Sequence, residues 1–137
     1  MSPARKDVNQ AIFEFSKEIR PGSKILFVGV DPVWNYKFQF DHCVYETLDI
    51  KTSRHPDILG DIQNCPQIKD KTYDAIIMTG VYEYLDKPYI AIEEIYRVLK
   101  DKGKLLICMP GIAYYGDKRP TVTIEEIEIF LSFALSQ

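Results

Sequence analysis

Short apolar runs that recur along the chain constrain its fold more than any other feature. Three such runs lie at residues 24–30, 73–79 and 105–109, and turn-forming residues bound them. Such runs are typical of strands buried on both faces of a parallel sheet. Shorter runs at 44–50 and 56–61 share the pattern. Because helical segments alternate with the runs, we predict an α/β fold, a five-stranded and mainly parallel sheet with helices on both faces.

Three amphipathic segments predict the helices. The first covers residues 7–19, where apolar side chains recur at helical spacing. The second is expected to take Asp86 as its cap and Pro88 as its first residue. The third follows a capping box formed by Thr123 and Glu126, and it runs to the end of the sequence.

The segment at residues 31–40, between the first two predicted strands, lacks a helical period. Its aromatic side chains recur at every second position, at Trp34, Tyr36, Phe38 and Phe40. This spacing predicts an extended or irregular segment with at most one helical turn, where a doubly wound fold normally has a full crossover helix.

Composition restricts the number of domains and the partners. The 137 residues correspond to one domain, which we divide into an N-terminal helix (1–22), a core (23–110) and a C-terminal loop and helix (111–137). Seventeen Lys and Arg against twenty Asp and Glu give a net charge of −3. This balance argues against nucleic acid or a membrane surface as a partner. No apolar run approaches the roughly 20 residues of a membrane span.

Cysteine and histidine usage indicates a reducing compartment and no metal site. Cys43, Cys65 and Cys108 stand far apart without a CxxC pair, so we expect free thiols and a cytoplasmic location. His42 and His55 have no second ligand at metal spacing, so no metal is predicted.

Candidate ligand-binding residues follow the predicted strands. In open α/β sheets, ligands bind at the carboxyl ends of the strands. The residues at these ends are Gly29, Asp31, Asp49, Asp61, Thr79 and Gly80. Asp49 lies twenty residues after Gly29, a spacing at which dinucleotide-binding folds place the acid that binds ribose hydroxyls. Solvated acids at turn starts are the alternative interpretation of Asp49 and Asp61.

Residues 73–88 and 95–106 resemble the fourth strand, the following helix and the fifth strand of class I S-adenosylmethionine-dependent methyltransferases, and the type 11 methyltransferases in particular. Residues 56–62 resemble the family's segment that ends in the acid reading the adenine, and 47–50 its ribose-binding strand end. The matches cover most of residues 23–110. The resemblance implies a Rossmann-like sheet with strand order 3-2-1-4-5 and S-adenosylmethionine as the cofactor.

The resemblance also implies a role for each candidate residue. Gly29 lets the methionine part of the cofactor approach the backbone, and Asp49, with Ile50 beside it, accepts the ribose hydroxyls. Asp61 and the backbone of Ile62 contact the adenine edge. Thr79 and Gly80 line the floor under the methionine part. Asp31 either opposes the cofactor's carboxylate by its charge or pairs with the cofactor's ammonium in place of the missing acid.

Methyl transfer to a small-molecule acceptor is the activity that the resemblance implies, with a sugar as one candidate acceptor. Aromatic residues in the predicted loops are the substrate candidates, namely Trp34, Tyr82, Tyr84 and Tyr114. Tyr84 stands where many relatives carry a histidine. No residue is assigned as a catalytic base.

Two departures from the family pattern argue against a methyltransferase that is active on its own. Phe27 replaces the usual acid before the first glycine, and Asp31 and Val33 replace later glycines, so the loop is degenerate. The sequence also leaves no room for the family's C-terminal antiparallel hairpin, and the last helix is apolar on more than one face. We therefore expect a homo-oligomer or a partner subunit that covers this helix and the sheet edge.

Two alternatives follow from these departures. The first is a degenerate, catalytically inactive methyltransferase-fold subunit that acts in binding or assembly. The second is an unrelated nucleotide-binding α/β domain. It is the less favoured because the sequence has neither the GxGxxG turn of a dinucleotide site nor the GxxxxGK[ST] loop of a phosphate site.

Overall fold

Six strands form a single sheet in the spatial order β3-β2-β1-β4-β5-β6. The computed structural model describes residues 3–31 and 33–136. The strands are β1 (Lys24–Val28), β2 (Val44–Asp49), β3 (Ile58–Leu59), β4 (Tyr73–Thr79), β5 (Leu99–Met109) and β6 (Ile112–Asp117). The first five are parallel, and β6 pairs antiparallel with β5. The α/β class and the order of the first five strands confirm the sequence-based prediction.

The sixth strand corrects the prediction of five strands without an antiparallel hairpin. Met109 pairs with Ile112 in the register of β5 and β6, so Pro110 and Gly111 form a two-residue turn. Gly111 has a φ of +80°, which glycine adopts at little cost. The Pro-Gly pair therefore reverses the chain into a hairpin, whereas the sequence interpretation treated it as the start of a loop.

The helices are α1 (Pro3–Lys17), α2 (Pro88–Val98) and α3 (Ile124–Leu135). Pro88 is the first residue of α2 as predicted, but the predicted cap at Asp86 is wrong. Lys87 occupies the cap position, and its side chain makes no capping hydrogen bond. At α3, Thr123 Oγ1 accepts a hydrogen bond of 3.1 Å from the backbone N–H of Glu126, which confirms the Thr half of the capping box.

Successive side chains of each strand point to opposite faces of the sheet, and both faces are buried. Ile25 and Phe27 of β1 face α1, where they pack with Ile12 and Phe15. Leu26 and its neighbours on the other face pack against α2 and α3. Full burial of each such side chain contributes roughly 1.5–3 kcal/mol, so both layers hold the strand ends in place.

A single turn of 3-10 helix at Lys37–Phe40 is the one helical element described between β1 and β2, which confirms the prediction of at most one turn there. Tyr36 stacks on Phe27 with ring centroids 5.4 Å apart and an interplanar angle of 11°. Phe40 is fully buried in the same layer. Aromatic packing therefore covers the sheet where a crossover helix is normally found.

The helices give no indication of a membrane-spanning segment. None of them, within the part of the chain that the structure describes, combines the length and the apolar character that a bilayer crossing requires.

Candidate functional site

A cleft of about 810 Å³ opens at the carboxyl edge of the parallel strands. This volume is within the range of small-molecule sites, roughly 300–1,000 Å³. All eight of the candidate cofactor-binding residues line it, namely Gly29, Asp31, Asp49, Ile50, Asp61, Ile62, Thr79 and Gly80. The structure therefore brings together residues that are up to 51 positions apart, since the ends of parallel strands meet at one edge.

Gly29 is the point where the backbone passes closest to β4. Its φ is +90°, and a Cβ built there would lie 2.5 Å from Val81 Cγ2 and 2.7 Å from the carbonyl oxygen of Thr79. Both distances are shorter than real Cβ contacts, so another residue would shift the loop. Glycine is required here by conformation and by space together.

Asp49 is held at the end of β2 by two backbone donors. Its Oδ2 accepts a hydrogen bond of 2.8 Å from the N–H of Val30, and its Oδ1 accepts one of 2.9 Å from the N–H of Lys51. A carboxylate offers about four acceptor sites, so each oxygen keeps capacity for a further donor. The group is fixed in orientation and able to bind two hydroxyls.

Arg54 is a cleft residue that the sequence interpretation missed. It ends a short 3-10 turn at Thr52–Arg54, and its Nη1 donates a hydrogen bond of 2.5 Å to the carbonyl oxygen of Val30. The guanidinium has five N–H donors, of which this bond uses one. Arg54 therefore fixes the degenerate loop and places a positive charge at the cleft.

Asp31 stabilises its own turn through one carboxylate oxygen. Its Oδ1 accepts hydrogen bonds from the backbone N–H groups of Val33 at 2.8 Å and Trp34 at 2.9 Å. This arrangement is an Asx-type turn, which needs no glycine to bend the chain. Phe27, at the position where the family has an acid, is 2% exposed and belongs to the aromatic layer under α1.

The opposite end of the cleft contains Asp61 and Ile62. Asp61 Oδ1 accepts a hydrogen bond of 2.9 Å from the N–H of Gln63, and Ile62 is buried. Gln63 Oε1 in turn accepts a hydrogen bond of 2.6 Å from the N–H of Lys87, so the loop is tied to the start of α2. Ile50 is 66% exposed and provides an apolar surface beside Asp49.

A single 3-10 turn at Tyr82–Tyr84 forms the wall after β4. Glu83 lines the cleft from this turn. Its Oε1 is buried and has no hydrogen-bond partner among the residues that the structure describes. Tyr84 also lines the cleft and is 81% exposed.

The other three substrate candidates lie away from the cleft lining. Tyr82 is 2% exposed and packs in the layer between the sheet and the helices α2 and α3. Tyr114 lies on β6 and contacts Phe130 of α3, with ring centroids 5.8 Å apart. Burial raises the pKa of both phenols. Trp34 lies in the loop after β1 but is not part of the lining.

Cys108 lines the cleft but is not suited to act as a nucleophile. The residue is 1% exposed, and burial raises the pKa of its thiol to about 12. A thiol with this pKa stays protonated near neutral pH. Across residues 3–31 and 33–136, no three His, Cys, Asp or Glu side chains are grouped as metal ligands.

The lining of the cleft carries an excess of negative charge. Its acids are Asp31, Asp49, Asp61, Glu83 and Asp86, and its bases are Lys51 and Arg54. Five carboxylates against two cations in a concave site favour the entry of cationic over anionic ligands.

Four charged residues of the cleft lining were not selected as site residues by the sequence analysis, namely Lys51, Arg54, Glu83 and Asp86. Glu83 follows β4 by four positions, so the rule that selected Thr79 and Gly80 also applies to it. Arg54 carried no comparable signal, because its position depends on a left-handed residue, His55 with a φ of +52°, that ends the 3-10 turn.

The strand order and the cleft at the carboxyl edge define a Rossmann-like α/β protein with the fold of S-adenosylmethionine-dependent methyltransferases. Residues 40–107 match the family model described as a methyltransferase domain. A candidate S-adenosylmethionine-dependent methyltransferase from Methanococcus maripaludis superposes with a TM-score of 0.59 at 19% identity, over 75% of this chain and 59% of that chain. Residues 40–107 of the chain are thus similar to a methyltransferase domain, and the solved structure shares its fold.

Two further solved structures show how widely this fold is used. A candidate sarcosine dimethylglycine methyltransferase from Galdieria sulphuraria has a TM-score of 0.61 at 17% identity, over 75% of this chain and 46% of that chain. The [4+2]-cyclase SpnF has a TM-score of 0.59 at 19% identity, over 74% and 44%. The chain thus spans about half the length of the solved structures that it matches. A comparison with curated protein sequences finds no match.

Proposed function

We propose that this chain binds S-adenosylmethionine in the cleft at the carboxyl edge of its sheet and serves methyl transfer to a small-molecule acceptor. The observation that carries the proposal is the carboxylate of Asp49, which two backbone N–H groups orient beside Gly29 at the end of β2. An acid in this position is suited to the two adjacent hydroxyls of a ribose.

The donors and surfaces of the cleft fit the cofactor along its length. Asp49 can accept two hydroxyls, and the exposed side chain of Ile50 offers an apolar surface to a base. Asp61 and the backbone at Ile62 are suited to the edge of an adenine. Gly29 allows the loop after β1 to pack against Val81 and the carbonyl oxygen of Thr79 at the cleft. When bound, the cofactor supplies a methyl group on a positively charged sulfur.

The chain's own contribution to such a reaction is orientation. The loop after β1 is held through Val30 by Asp49 on one side and by Arg54 on the other. Thr79 and Gly80 form the floor of the cleft between β1 and the turn after β4. Positioning of this kind accounts for a large share of the rate in bimolecular transfers.

The net negative charge of the cleft lining restricts the chemical class of the methyl acceptor. An excess of carboxylates disfavours phosphorylated or carboxylated acceptors, so we propose a neutral or cationic small molecule. A sugar stays one candidate, and an amine is a second.

A catalytically inactive subunit is expected to bind the cofactor weakly or not at all, whereas an active methyltransferase must bind it. The [4+2]-cyclase of this fold illustrates that the fold alone does not determine the reaction. We retain as the alternative a subunit that acts in binding or assembly, and cofactor binding is the property that separates the two.

Calorimetric titration with S-adenosylhomocysteine, the demethylated cofactor, tests the proposal. The wild-type chain is expected to bind it, and the variants Asp49→Ala and Asp49→Asn are expected to weaken binding at least tenfold, because charge-assisted hydrogen bonds contribute about 1.5–3 kcal/mol. Asp41→Asn is the matched control, since Asp41 is exposed and lies outside the cleft lining.

The result depends on a folded sample, which circular dichroism and thermal unfolding establish for each variant. A folded wild-type chain that gives no heat at millimolar S-adenosylhomocysteine contradicts cofactor binding and favours the alternative. Equal affinities of wild type and both Asp49 variants contradict the role assigned to the carboxylate.

A further inference from the structure

The strand β6 forms a long edge of the sheet, whereas β3 at the other edge is short. β3 has two residues, and β6 has six that pair with β5 in one continuous register. Natural sheets protect long edge strands with Lys, Pro or a bulge, because an open edge is a template for a further strand. The strand Ile112–Asp117 contains neither Lys nor Pro, and its pairing shows no bulge. The sequence therefore does not protect this edge from pairing.

Alternate residues of β6 point their backbone groups away from β5. The N–H of Lys118, directly after β6, donates to the carbonyl oxygen of Gly103 in β5 at 2.9 Å. Because these directions alternate along an antiparallel strand, Ala113, Tyr115 and Asp117 point their N–H and C=O groups to the open edge. Within the described parts of the chain, no other backbone group bonds to these three residues at that edge. Their donors and acceptors are thus available to a partner strand.

Aromatic side chains lie beside this edge on both faces of the sheet. On one face, Tyr115 is 49% exposed, and its ring meets that of Phe15 of α1 edge-on at 5.7 Å. On the other face, Tyr114 contacts Phe130 of α3, which is also exposed. Aromatic side chains are enriched in protein interfaces because each buries a large area. The edge therefore combines free backbone groups with apolar surface.

The charges beside Tyr115 are balanced. Lys104 lies opposite Asp117 in the register of β5 and β6, and Arg119 Nε donates to Asp117 Oδ1 at 2.5 Å. Burial, together with a hydrogen bond to Glu18 of α1, raises the pKa of the Tyr115 phenol. Two acids and two bases thus surround the exposed ring. A second copy of the same surface meets no net repulsion there.

We propose that β6 pairs antiparallel with β6 of a second copy of the chain around a two-fold axis at Tyr115, so that two sheets join into one. This register places Ala113 opposite Asp117 of the second copy, and it pairs every outward donor and acceptor of the two strands. Any shifted register leaves some of them unpaired. The one charged residue of β6, Asp117, then faces an alanine, and both copies use the same surface, as a two-fold contact requires.

α3 adds the surface that a strand edge alone does not provide. Six residues of strand span about 20 Å, whereas a standard interface buries about 800 Å² on each partner. The two-fold axis of an antiparallel strand pair is perpendicular to the sheet, so α3 of both copies lies on the same face. Phe130, in contact with Tyr114 of β6, and Phe133 one turn further are exposed on α3. Both helices therefore add apolar surface along the joined edge.

Charge substitutions at Tyr115 test the position of the axis. Tyr115→Lys and Tyr115→Glu each place like charges opposite each other, so each variant alone is expected to dimerise at least tenfold more weakly than wild type. An equimolar mixture of the two is expected to dimerise again. Analytical ultracentrifugation measures association. Tyr89→Lys is the matched control, because Tyr89 is 43% exposed but lies on α2, and it is expected to dimerise like wild type.

Amide hydrogen exchange tests the strand pairing itself. The N–H groups of Ala113, Tyr115 and Asp117 are expected to exchange at least tenfold more slowly in concentrated than in dilute wild-type chain, because dimerisation binds them. Tyr115→Lys is expected to remove this difference. The N–H groups of Tyr114 and Gly116 point to β5 within one copy, so they are the internal control and are expected to be protected at both concentrations.

The proposal is overturned if the wild-type chain stays monomeric over a hundredfold range of concentration, which leaves the edge to a different partner. A dimer whose three outward amides exchange as in the monomer also overturns it, because another surface is then the interface. If the two charge variants are folded by circular dichroism and their mixture stays monomeric, the axis at Tyr115 is wrong. The measurements do not involve the cofactor, so their outcome is independent of the proposed function.

Discussion

Arg54 donates a hydrogen bond from Nη1 to the carbonyl oxygen of Val30 at 2.5 Å. The N–H of Val30 donates to Asp49 Oδ2 at 2.8 Å. Both polar backbone groups of Val30 are therefore bound to side chains that lie at or just after the end of β2. The loop after β1 has Asp31 and Val33 at positions where the resemblance to methyltransferases predicts glycines. Side-chain contacts from the neighbouring strand now fix a conformation that glycines otherwise permit.

Replacement of Arg54 by alanine is expected to weaken S-adenosylhomocysteine binding about fivefold without unfolding the chain. The hydrogen bond that is lost contributes about 1 kcal/mol, and the loop must then be ordered by the ligand. Calorimetry measures the effect. Lys51→Ala is the control, since it removes a positive charge from the same lining, and the Lys51 side chain makes no hydrogen bond to the loop within the described residues. An equal loss in both variants contradicts a positioning role and indicates a general charge effect.

Replacement of Gly29 by alanine is expected to destabilise the chain by about 2–5 kcal/mol, because backbone strain and overlap with Val81 and Thr79 act together. Gly22→Ala separates the two causes. Gly22 has a similar φ of +84°, but a Cβ there meets nothing within 4 Å, so the expected cost is about 1–2 kcal/mol. Urea unfolding measures both. Equal costs in the two variants contradict the close approach of the loop to β4.

The sequence was sufficient to predict eight residues of the cleft lining, because one rule relates chain position to space. Parallel strands end at the same edge, so Asp49 and Asp61 meet there whatever their separation along the chain. The rule does not predict the antiparallel strand β6, because it concerns only the ends of parallel strands. Pro110 and Gly111 suit both a loop and a two-residue hairpin, and pairing along β5 decides between them.

The directions of the side chains that follow β4 could not be predicted from the sequence. Tyr82 and Tyr84 are two positions apart in one 3-10 turn, yet the first is buried under α2 and α3 and the second is exposed at the cleft. The rotation of that turn depends on tertiary packing, which a local pattern does not contain. Glu83 lies between them; its position after β4 follows from the rule for strand ends, but the direction of its side chain does not.

The ion pair between Glu94 and Arg97 is expected to make stability depend on acid pH. Arg97 Nε donates to Glu94 Oε1 at 2.8 Å, and the N–H of Cys65 donates to Glu94 Oε2 at 2.8 Å. The bond from Arg97, with that from the Cys65 N–H, holds the pKa of the Glu94 carboxyl below its usual 4.5. The stabilisation is therefore fully present above about pH 4.5 and is lost as the pH falls through the lower folded-state pKa.

The variant Glu94→Gln is expected to lose about 1–3 kcal/mol at pH 7 and to lose less than wild type on acidification below pH 4.5. Thermal unfolding at a series of pH values measures both effects. Glu93→Gln is the control, because Glu93 is exposed on the same helix. Parallel pH profiles for wild type and Glu94→Gln contradict the assignment.

The outer face of α3 is expected to contact a second copy of the chain. Ile129 and Phe133, four positions apart on one face of the helix, are 57% and 66% exposed. Leu135 is 47% exposed on another side of the same helix, which follows the edge strand β6. A helix with apolar side chains on more than one face is stabilised when each face is covered. We propose a homo-oligomer that covers it, with a different partner subunit as the alternative.

Light scattering with Ile129→Glu tests this proposal. The wild-type chain is expected to be oligomeric at micromolar concentration, and the variant is expected to be monomeric with an unchanged circular dichroism spectrum, since Ile129 contributes little to the protomer's own core. Glu125→Gln on the same helix is the control for a change of charge alone. A wild-type chain that stays monomeric over a hundredfold range of concentration contradicts a second copy as the occupant, because an interface of this kind must associate by mass action.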